Sequence, residues 1–303
     1  MQSSKRLPRL IVVLGPTASG KSALAVELAR RLSGAVISAD SRQVYRGLDV
    51  GTGKITKREM RGVPHYLLDV ADPRRQYTAA RYAKDAGRAT QKVLARGKVP
   101  ILCGGTGLYI DAALYGGTFA KGAPDPLFRK RMERLSTEAL FVLLEQRDPA
   151  RARTIDRHNR RRLIRALEII AATGTSARPL SRTLRFETLK IGVARSKTEL
   201  ARRIRVRLAR DLKRGLVQEV QRLHRDGLSF RRLNELGLEY ALIARYLKDE
   251  IKTRQELEEA LGRAIIKYAK RQMTWFKRDP EISWVSSSRK ALALARSFLK
   301  GVH

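Results

Sequence analysis

Short apolar runs alternate with amphipathic segments through the first third of the chain. Apolar runs bounded by glycine or polar residues are typical of buried strands, and apolar positions three or four residues apart are typical of helices. The predicted strands cover residues 10–14, 35–40, 65–70 and 99–103, and the predicted helices cover 23–29, 77–96 and a segment that ends at Leu114. This alternation predicts an α/β fold with a parallel sheet that helices cover on both faces.

The pattern changes after residue 115. Glycines and prolines interrupt the chain between 116 and 126, and nearly everything from there to 188 has helical spacing. A strand is again predicted at 189–193. After it come predicted helices at 198–225, 234–248 and 254–278, an edge segment at 284–285 and a last amphipathic helix. We therefore predict one α/β core, residues 1–115 and 189–303, with an all-helical insertion at 116–188.

Residues 15–22, with the sequence GPTASGKS, carry the clearest chemical signal. They lie between a predicted strand and a predicted helix and fit G-x-x-x-x-G-K-[ST] at every fixed position. Gly15 and Gly20 allow the backbone to approach phosphate oxygens closely, and N–H groups at the helix start point at the anion. Lys21 brings a positive charge, and the Ser22 hydroxyl is placed to ligate Mg²⁺. The sequence thus predicts a polyphosphate site on a P-loop NTPase-like core.

The net charge of the chain indicates a second, larger anion as a binding partner. The 303 residues carry a formal net charge of +35 that is spread along the whole chain, and nucleic acid is the natural partner of such a surface. A proteome with generally high isoelectric points is the alternative. No run of 18 apolar residues exists, so we expect no membrane span and no signal peptide. The single cysteine, Cys103, is expected to be a buried, inert thiol, which suits the cytoplasm.

Several polar residues are candidates for chemistry. Asp40 follows the second predicted strand, where a carboxylate beside bound phosphate can accept a proton; a loop cap is the alternative. Thr17 places a hydroxyl inside the phosphate loop. Arg203, Arg207 and Arg210 share one helical face that can clamp pyrophosphate or follow an RNA backbone, although such charges are often only solvated.

With these residues identified, the chain resembles the tRNA dimethylallyltransferases, also called tRNA isopentenyltransferases, over nearly its whole length. Six blocks carry the resemblance: GPTASGKS at 15–22, SADSRQVYRGLDVGTGK at 38–54, PHYLLDV at 64–70, GGTGLYIDAAL at 104–114, NRRRLIRALEI at 159–169 and KRQMTWFKRD at 270–279. Six blocks in the order of the family are far more specific than the phosphate loop alone. The resemblance implies a P-loop α/β core and an inserted helical domain that contacts the anticodon stem-loop.

The reaction that the resemblance implies is transfer of a dimethylallyl group from dimethylallyl diphosphate to N6 of the adenosine 3′-adjacent to the anticodon, with Mg²⁺ as cofactor. It implies that Asp40 accepts the N6 proton, that Thr17 lies near the reacting carbon, and that Arg207, or Arg203 in a similar register, closes on the diphosphate. The implied diphosphate ligands are Gly15, Pro16, Thr17, Ala18, Ser19, Gly20, Lys21 and Ser22. The implied tRNA contacts are Asp40, Ser41, Arg42, Gln43, Thr106, Arg129, Arg161, Arg162, Leu163, Ile164 and Arg165. We expect a cytoplasmic monomer.

The sequence departs from the family pattern in two places, and two other functions are also compatible with its motifs. Arg161 stands where many members carry glutamine, and the segment 236–240, LGLEY, replaces a commoner Ile-Gly-Tyr-Arg/Lys-Glu. An ATP-dependent kinase of a small substrate uses the same phosphate loop, although the charge and the insertion disfavour it. A non-catalytic RNA-binding protein would leave Asp40 and Thr17 without a role.

Overall fold

The computed structural model describes residues 7–115, 125–176 and 184–301. It divides the chain into two compact units. The first unit consists of residues 1–114 and 184–303, and the second of residues 115–183.

Six parallel strands form the sheet of the first unit. They are β1 (Arg9–Leu14), β2 (Gly34–Ser38), β3 (His65–Tyr66), β4 (Val99–Gly104), β5 (Glu187–Val193) and β6 (Ile282–Val285). Their order in the sheet is β3-β2-β4-β1-β5-β6. The register pairs Val12 with Leu102 on one side and with Lys190 on the other. The sheet confirms the predicted α/β fold class. Its carboxyl edge therefore brings together the loops that follow β1, β2 and β4.

Helices flank this sheet. In the first unit they are α1 (Lys21–Arg31), α2 (Lys57–Met60), α3 (Ala79–Leu94), α4 (Gly107–Tyr115, which ends one residue inside the second unit), α9 (Lys197–Lys213), α10 (Leu216–Arg225), α11 (Phe230–Leu236), α12 (Leu238–Tyr246), α13 (Arg254–Phe276) and α14 (Ser288–Lys300). The apolar faces of α1 and α14 pack with β1, β4 and β5 in one continuous core. Cys103 belongs to that core, so its predicted burial is confirmed, and burial raises the pKa of its thiol to about 11.

The described part of the second unit is helical. Its helices are α5 (Pro126–Met132), α6 (Thr137–Arg147), α7 (Pro149–Ala152) and α8 (Arg160–Thr173). Leu140 and Leu144 of α6 meet Leu163 and Leu167 of α8 in a separate hydrophobic cluster. The spacing of the apolar residues on α8 explains this contact, because positions 163 and 167 lie on one face of a helix.

Several predicted boundaries are wrong, for local reasons. The strand predicted at 65–70 ends at Tyr66, because Leu67 (φ 63°) and Asp69 (φ 56°) adopt left-handed backbone that a strand cannot contain. The helix predicted at 198–225 is two helices separated at Gly215, whose φ is 91°. The helix predicted at 234–248 likewise breaks at Gly237, with a φ of 78°. Glycine adopts positive φ without steric strain, so both helix interruptions cost little free energy. The short helix α2 was not predicted.

Within the described ranges, no helix is both long enough and apolar enough to cross a membrane.

Candidate active site

The phosphate loop joins β1 to α1 through a series of unusual backbone conformations. Gly15 has a φ of 152° and Gly20 a φ of 96°, while Ala18 lies in the left-handed region at 61°. A Cβ added at Gly15 would come 3.0 Å from Ser19 Oγ. An alanine held at positive φ costs free energy, and such strain is typical of sites whose backbone conformation is fixed for a ligand.

Two polar side chains of this loop are directed into its interior. Lys21 Nζ donates to the Pro16 carbonyl oxygen across 3.3 Å. Burial lowers the pKa of Lys21, and the neighbouring Cys103 and Asp40 side chains oppose that decrease. Ser19 is fully buried, and its Oγ has no hydrogen-bond partner among the described residues. A buried hydroxyl without a partner is costly, so this loop suits a ligand that supplies acceptor oxygens.

Asp40 follows β2 at the same edge of the sheet. Its Oδ1 accepts hydrogen bonds from the Arg42 N–H at 2.9 Å and from the Gln43 N–H at 3.4 Å. The Ser41 N–H donates to Thr106 Oγ1 across 3.1 Å. The structure therefore brings together five of the predicted site residues, which come from the loops after β2 and β4. It also places Asp40 near enough to Lys21 for their charges to interact.

Two arginines of α9 reach the phosphate loop. Arg207 Nη1 donates to Thr17 Oγ1 across 3.2 Å, and Arg203 Nη1 donates to the Ala18 carbonyl oxygen across 3.4 Å. Arg203 is also paired with Glu199 through a 2.8 Å contact. Of these two arginines, Arg207 is the one that bonds the Thr17 side chain, which was predicted to lie near the reacting carbon. Arg210, the third residue of the predicted face, is exposed and pairs with Asp211.

A narrow pocket opens beside Thr17 and Arg207. Apolar side chains form much of its wall, namely those of Ile204, Leu208, Leu216 and Ile265. Asp211 and Glu239 add two carboxyl groups. Burial raises the pKa of Glu239 to about 7, and the charge of Arg207 partly opposes that increase. Glu239 belongs to the segment that departs from the family pattern, so an unusual carboxyl group lies in this wall.

Sequence reasoning missed two residues that hold the site. Asp211 is 5% exposed and accepts from Arg207 Nε across 3.1 Å. Gln272 is 6% exposed and lies between the phosphate loop and the loop after β4. Asp211 sits four residues after Arg207, a spacing that signals an ion pair on a helix. Gln272 lies in the block 270–279 that carries the family resemblance, but no spacing signal assigned it a role, because both of its partners are more than 160 residues away.

The predicted tRNA contacts of the second unit fall into three groups. Arg161 and Arg162 are exposed on α8. Leu163 and Ile164 are buried in the hydrophobic cluster of this unit, so their side chains are not on its surface. Arg129 and Arg165 both pair with Glu168, whose side chain is 2% exposed. The pairing ties these two arginines to the interior of the unit.

The residues present suit a magnesium ion that is held mainly by substrate. Ser22, in the first turn of α1, provides a hydroxyl oxygen, and Asp40 provides a carboxylate at the same edge of the sheet. The described residues contain no group of three or more His, Cys, Asp or Glu side chains that could hold a metal ion. Mg²⁺ usually keeps several waters and binds one or two protein oxygens together with phosphate oxygens, so this donor set fits it.

A parallel α/β sheet with a glycine-bounded loop and a helix N-terminus at the carboxyl end of β1 defines a protein with a P-loop-like fold. Comparisons with known proteins narrow this class. A family model described as IPP transferase matches residues 43–279. A tRNA dimethylallyltransferase of Pelotomaculum thermopropionicum is 40% identical, with 94% of this chain and 93% of the relative covered. A tRNA dimethylallyltransferase 1 of Pelobacter propionicus is 41% identical, with 96% of each chain covered. The chain belongs to the IPP transferase family.

Solved structures agree with this assignment. The full-length tRNA isopentenylpyrophosphate transferase of Bacillus halodurans superposes with a TM-score of 0.73 at 34% identity, with 97% of this chain and 96% of that chain covered. A eukaryotic dimethylallyltransferase acting on tRNA superposes with a TM-score of 0.82. At 24% identity, that second likeness supports the fold only.

Proposed function

We propose that this chain transfers the dimethylallyl group of dimethylallyl diphosphate to N6 of the adenosine 3′-adjacent to the anticodon in tRNA. The products are N6-dimethylallyladenosine and diphosphate. Membership of the IPP transferase family supports the reaction class. The observation that carries the proposal is that Lys21 of the phosphate loop lies near Asp40 at one edge of the sheet, while Arg207 bonds Thr17 in the same loop.

Diphosphate is assigned to the loop of residues 15–22. The N–H groups at the start of α1, the Lys21 ammonium and the Ser19 hydroxyl all offer hydrogen bonds to anionic oxygens, and the Ser19 hydroxyl has no partner in the described part of the chain. The pocket beside Thr17 is assigned to the dimethylallyl group, because its wall is apolar where Ile204 and Leu208 contribute to it. A pocket with a partly apolar wall next to a diphosphate site fits a prenyl donor.

Magnesium would be held by the Ser22 hydroxyl together with oxygens of the bound diphosphate. When bound, it would neutralise charge on the leaving diphosphate.

In the proposed reaction, N6 of adenosine forms a bond to the allylic carbon while the bond from that carbon to the diphosphate oxygen breaks. The leaving oxygen gains negative charge, which Lys21 and Arg207 are placed to stabilise. Thr17 Oγ1 accepts from Arg207, so its own hydrogen is available to the leaving oxygen. Asp40 takes the N6 proton. The Arg42 and Gln43 N–H groups both donate to Asp40 Oδ1, so we assign the transferred proton to Asp40 Oδ2.

The tRNA is proposed to bind through its anticodon stem-loop to the second unit. Arg161 and Arg162 are exposed there, and the net charge of +35 supplies affinity that is independent of sequence. Stacked adenine cannot present N6 to the donor, so the base is expected to leave its stack and enter the site near Asp40 and Thr106. We also propose that the chain acts as a monomer in the cytoplasm.

One experiment separates this reaction from phosphoryl transfer. The protein is incubated with unmodified tRNA and Mg²⁺, together with either dimethylallyl diphosphate labelled in the prenyl group or ATP labelled in the γ-phosphate. We expect prenyl label in the tRNA and no transfer of phosphate. Lys21→Met serves as the inactive control, because it removes the ammonium from the phosphate loop. Transfer of γ-phosphate without transfer of prenyl label would identify a kinase and refute the proposal.

A further inference from the structure

Gln272 joins two loops that come from different strands. Its Oε1 accepts from the Thr17 N–H across 2.8 Å, and its Nε2 donates to the Gly105 carbonyl oxygen across 2.8 Å. Thr17 belongs to the phosphate loop after β1, whereas Gly105 lies in the loop after β4. One side-chain amide thus uses its acceptor on one loop and its donor on the other. The side chain is 6% exposed, so water does not readily replace either bond.

Two neighbours of Gln272 on α13 contact the same loop. Tyr268 lies near Thr106, and burial raises the pKa of Tyr268 to about 12. Trp275 packs against Gly107, where an added Cβ would come 2.3 Å from Nε1. At Gly105 an added Cβ would come 2.3 Å from Gln272 Nε2. Positions 268, 272 and 275 share one helical face, so this face of α13 fits closely onto residues 105–107.

The two loops carry different parts of the proposed reaction. Thr17 lies on the donor side, next to Arg207. Gly105 precedes Thr106, which bonds Ser41 and so connects to the turn that holds Asp40 on the acceptor side. The Thr17 N–H is already bonded to Gln272, which leaves this group unavailable to phosphate and holds the Thr17 backbone in place.

We propose that Gln272 is a positioning residue that sets the distance between the donor side and the acceptor side of the active site. This inference rests on the proposed function. Gln272 touches neither substrate; it holds Thr17 and the Thr106–Asp40 segment in register, so that the allylic carbon and the adenosine N6 meet at reacting distance. Misplacement of reacting groups by about 1 Å can lower a rate by roughly 10²-fold.

The test uses Gln272→Met, which keeps the length of the side chain and removes both hydrogen bonds. We expect the single-turnover rate of prenyl transfer to fall by roughly 10²-fold, while Kd for dimethylallyl diphosphate and for tRNA each stay within about threefold. Amide hydrogen exchange of free protein over residues 15–22 should also become faster. The matched control is Gln255→Met, because Gln255 lies exposed on the same helix and should change none of these values.

Three results would count against the inference. Unchanged exchange over 15–22 in Gln272→Met would show that the bridge does not hold the loop. Faster exchange with an unchanged transfer rate would show that the bridge does not position the substrates. Loss of both affinities in parallel with the rate would indicate a structural role only.

A second variant covers the case in which Gln272→Met does not fold. Gly105→Ala places a methyl group 2.3 Å from Nε2 and breaks the bridge from the opposite side, with the same expected pattern. If the wild-type chain transfers no prenyl group, the proposed function fails instead. The exchange measurement needs no substrate, so it still decides whether Gln272 holds the two loops.

Discussion

Arg207 Nη1 donates a hydrogen bond to Thr17 Oγ1 across 3.2 Å and thereby joins helix α9 to the phosphate loop. The same guanidinium donates from Nε to the buried Asp211 carboxylate. It also lies against Gly53, where an added Cβ would come 2.1 Å from Nη2. A planar group with several donors can satisfy these partners at once, which a lysine ammonium on a flexible stem cannot do.

Arg207→Lys should therefore reduce turnover although it keeps the charge. We expect kcat to fall by roughly 10–100-fold with a smaller rise in KM for dimethylallyl diphosphate, because charge neutralisation of the leaving group depends on geometry. Steady-state kinetics on both substrates measures this. Arg205→Lys is the control, since Arg205 is exposed on the same helix. Equal kinetic constants for Arg207→Lys and wild type would show that the geometry of the guanidinium does not contribute to turnover.

Asp40→Asn should separate binding from chemistry. The amide oxygen of asparagine can still accept the turn hydrogen bonds, whereas its side chain cannot take up the N6 proton. We expect kcat to fall by about 10²–10⁴-fold, with the affinity for tRNA changed only a few-fold. Asp72→Asn is the matched control, because Asp72 Oδ1 also accepts from a backbone N–H two residues on, that of Arg74 at 2.9 Å. Near-normal turnover of Asp40→Asn would exclude Asp40 as the proton acceptor.

Arg162 and Arg165, three residues apart on α8, should respond differently to alanine. Arg162 is exposed, so Arg162→Ala is expected to raise KM for tRNA and to leave the melting temperature and KM for dimethylallyl diphosphate unchanged. Arg165 pairs with buried Glu168, so Arg165→Ala should lower the free energy of unfolding by about 1–3 kcal/mol. Melting curves and kinetics of the two variants check this together. A stability loss in Arg162→Ala, or none in Arg165→Ala, would contradict the assignment of roles.

Glu239 should make stability depend on pH. Its pKa in the folded chain is raised to about 7 from an ordinary value of 4.5, so the folded state binds more protons than the unfolded state between these values. Stability from this group is fully present below pH 4.5 and is lost as pH rises through 7. Glu239→Gln should be more stable than wild type at pH 8, by roughly 1–3 kcal/mol, and the difference should shrink towards pH 5.

Urea unfolding at the two pH values measures this dependence. The exposed Glu258, changed to Gln, is the control for loss of one negative charge from a basic protein. Parallel pH profiles for wild type and Glu239→Gln would show that Glu239 ionises normally in the folded chain.

The parts of the structure that could be predicted from sequence are those with local signals. The phosphate loop is a contiguous motif, and apolar runs mark β1 and β4, so the α/β class and the place of the loop followed directly. The carboxyl-edge rule for parallel sheets then predicts that Asp40 lies near residues 15–22. The breaks at Gly215 and Gly237 escaped prediction because isolated glycines often occur within helices.

Long-range polar contacts could not be predicted. Glu219 on α10 is buried and accepts from the N–H groups of Asp49, Val50 and Gly51 at 2.9, 2.7 and 3.1 Å. Nothing near position 219 indicates that it holds a loop 170 residues earlier. Gln272 likewise bonds two loops that lie far from it in the sequence. Arg129 and Arg165 were expected to contact tRNA because of the family resemblance, and the sequence does not reveal Glu168 as their partner.

The most direct test of the account locates the added group on the tRNA. Unmodified tRNA is incubated with the wild-type chain, dimethylallyl diphosphate and Mg²⁺, then digested to nucleosides and to anticodon-loop fragments for mass spectrometry. We expect one dimethylallyl group on N6 of the adenosine 3′-adjacent to the anticodon, with Asp40→Asn giving far less product under the same conditions. A prenyl group at another nucleotide, or none in tRNA that the protein binds, would contradict it.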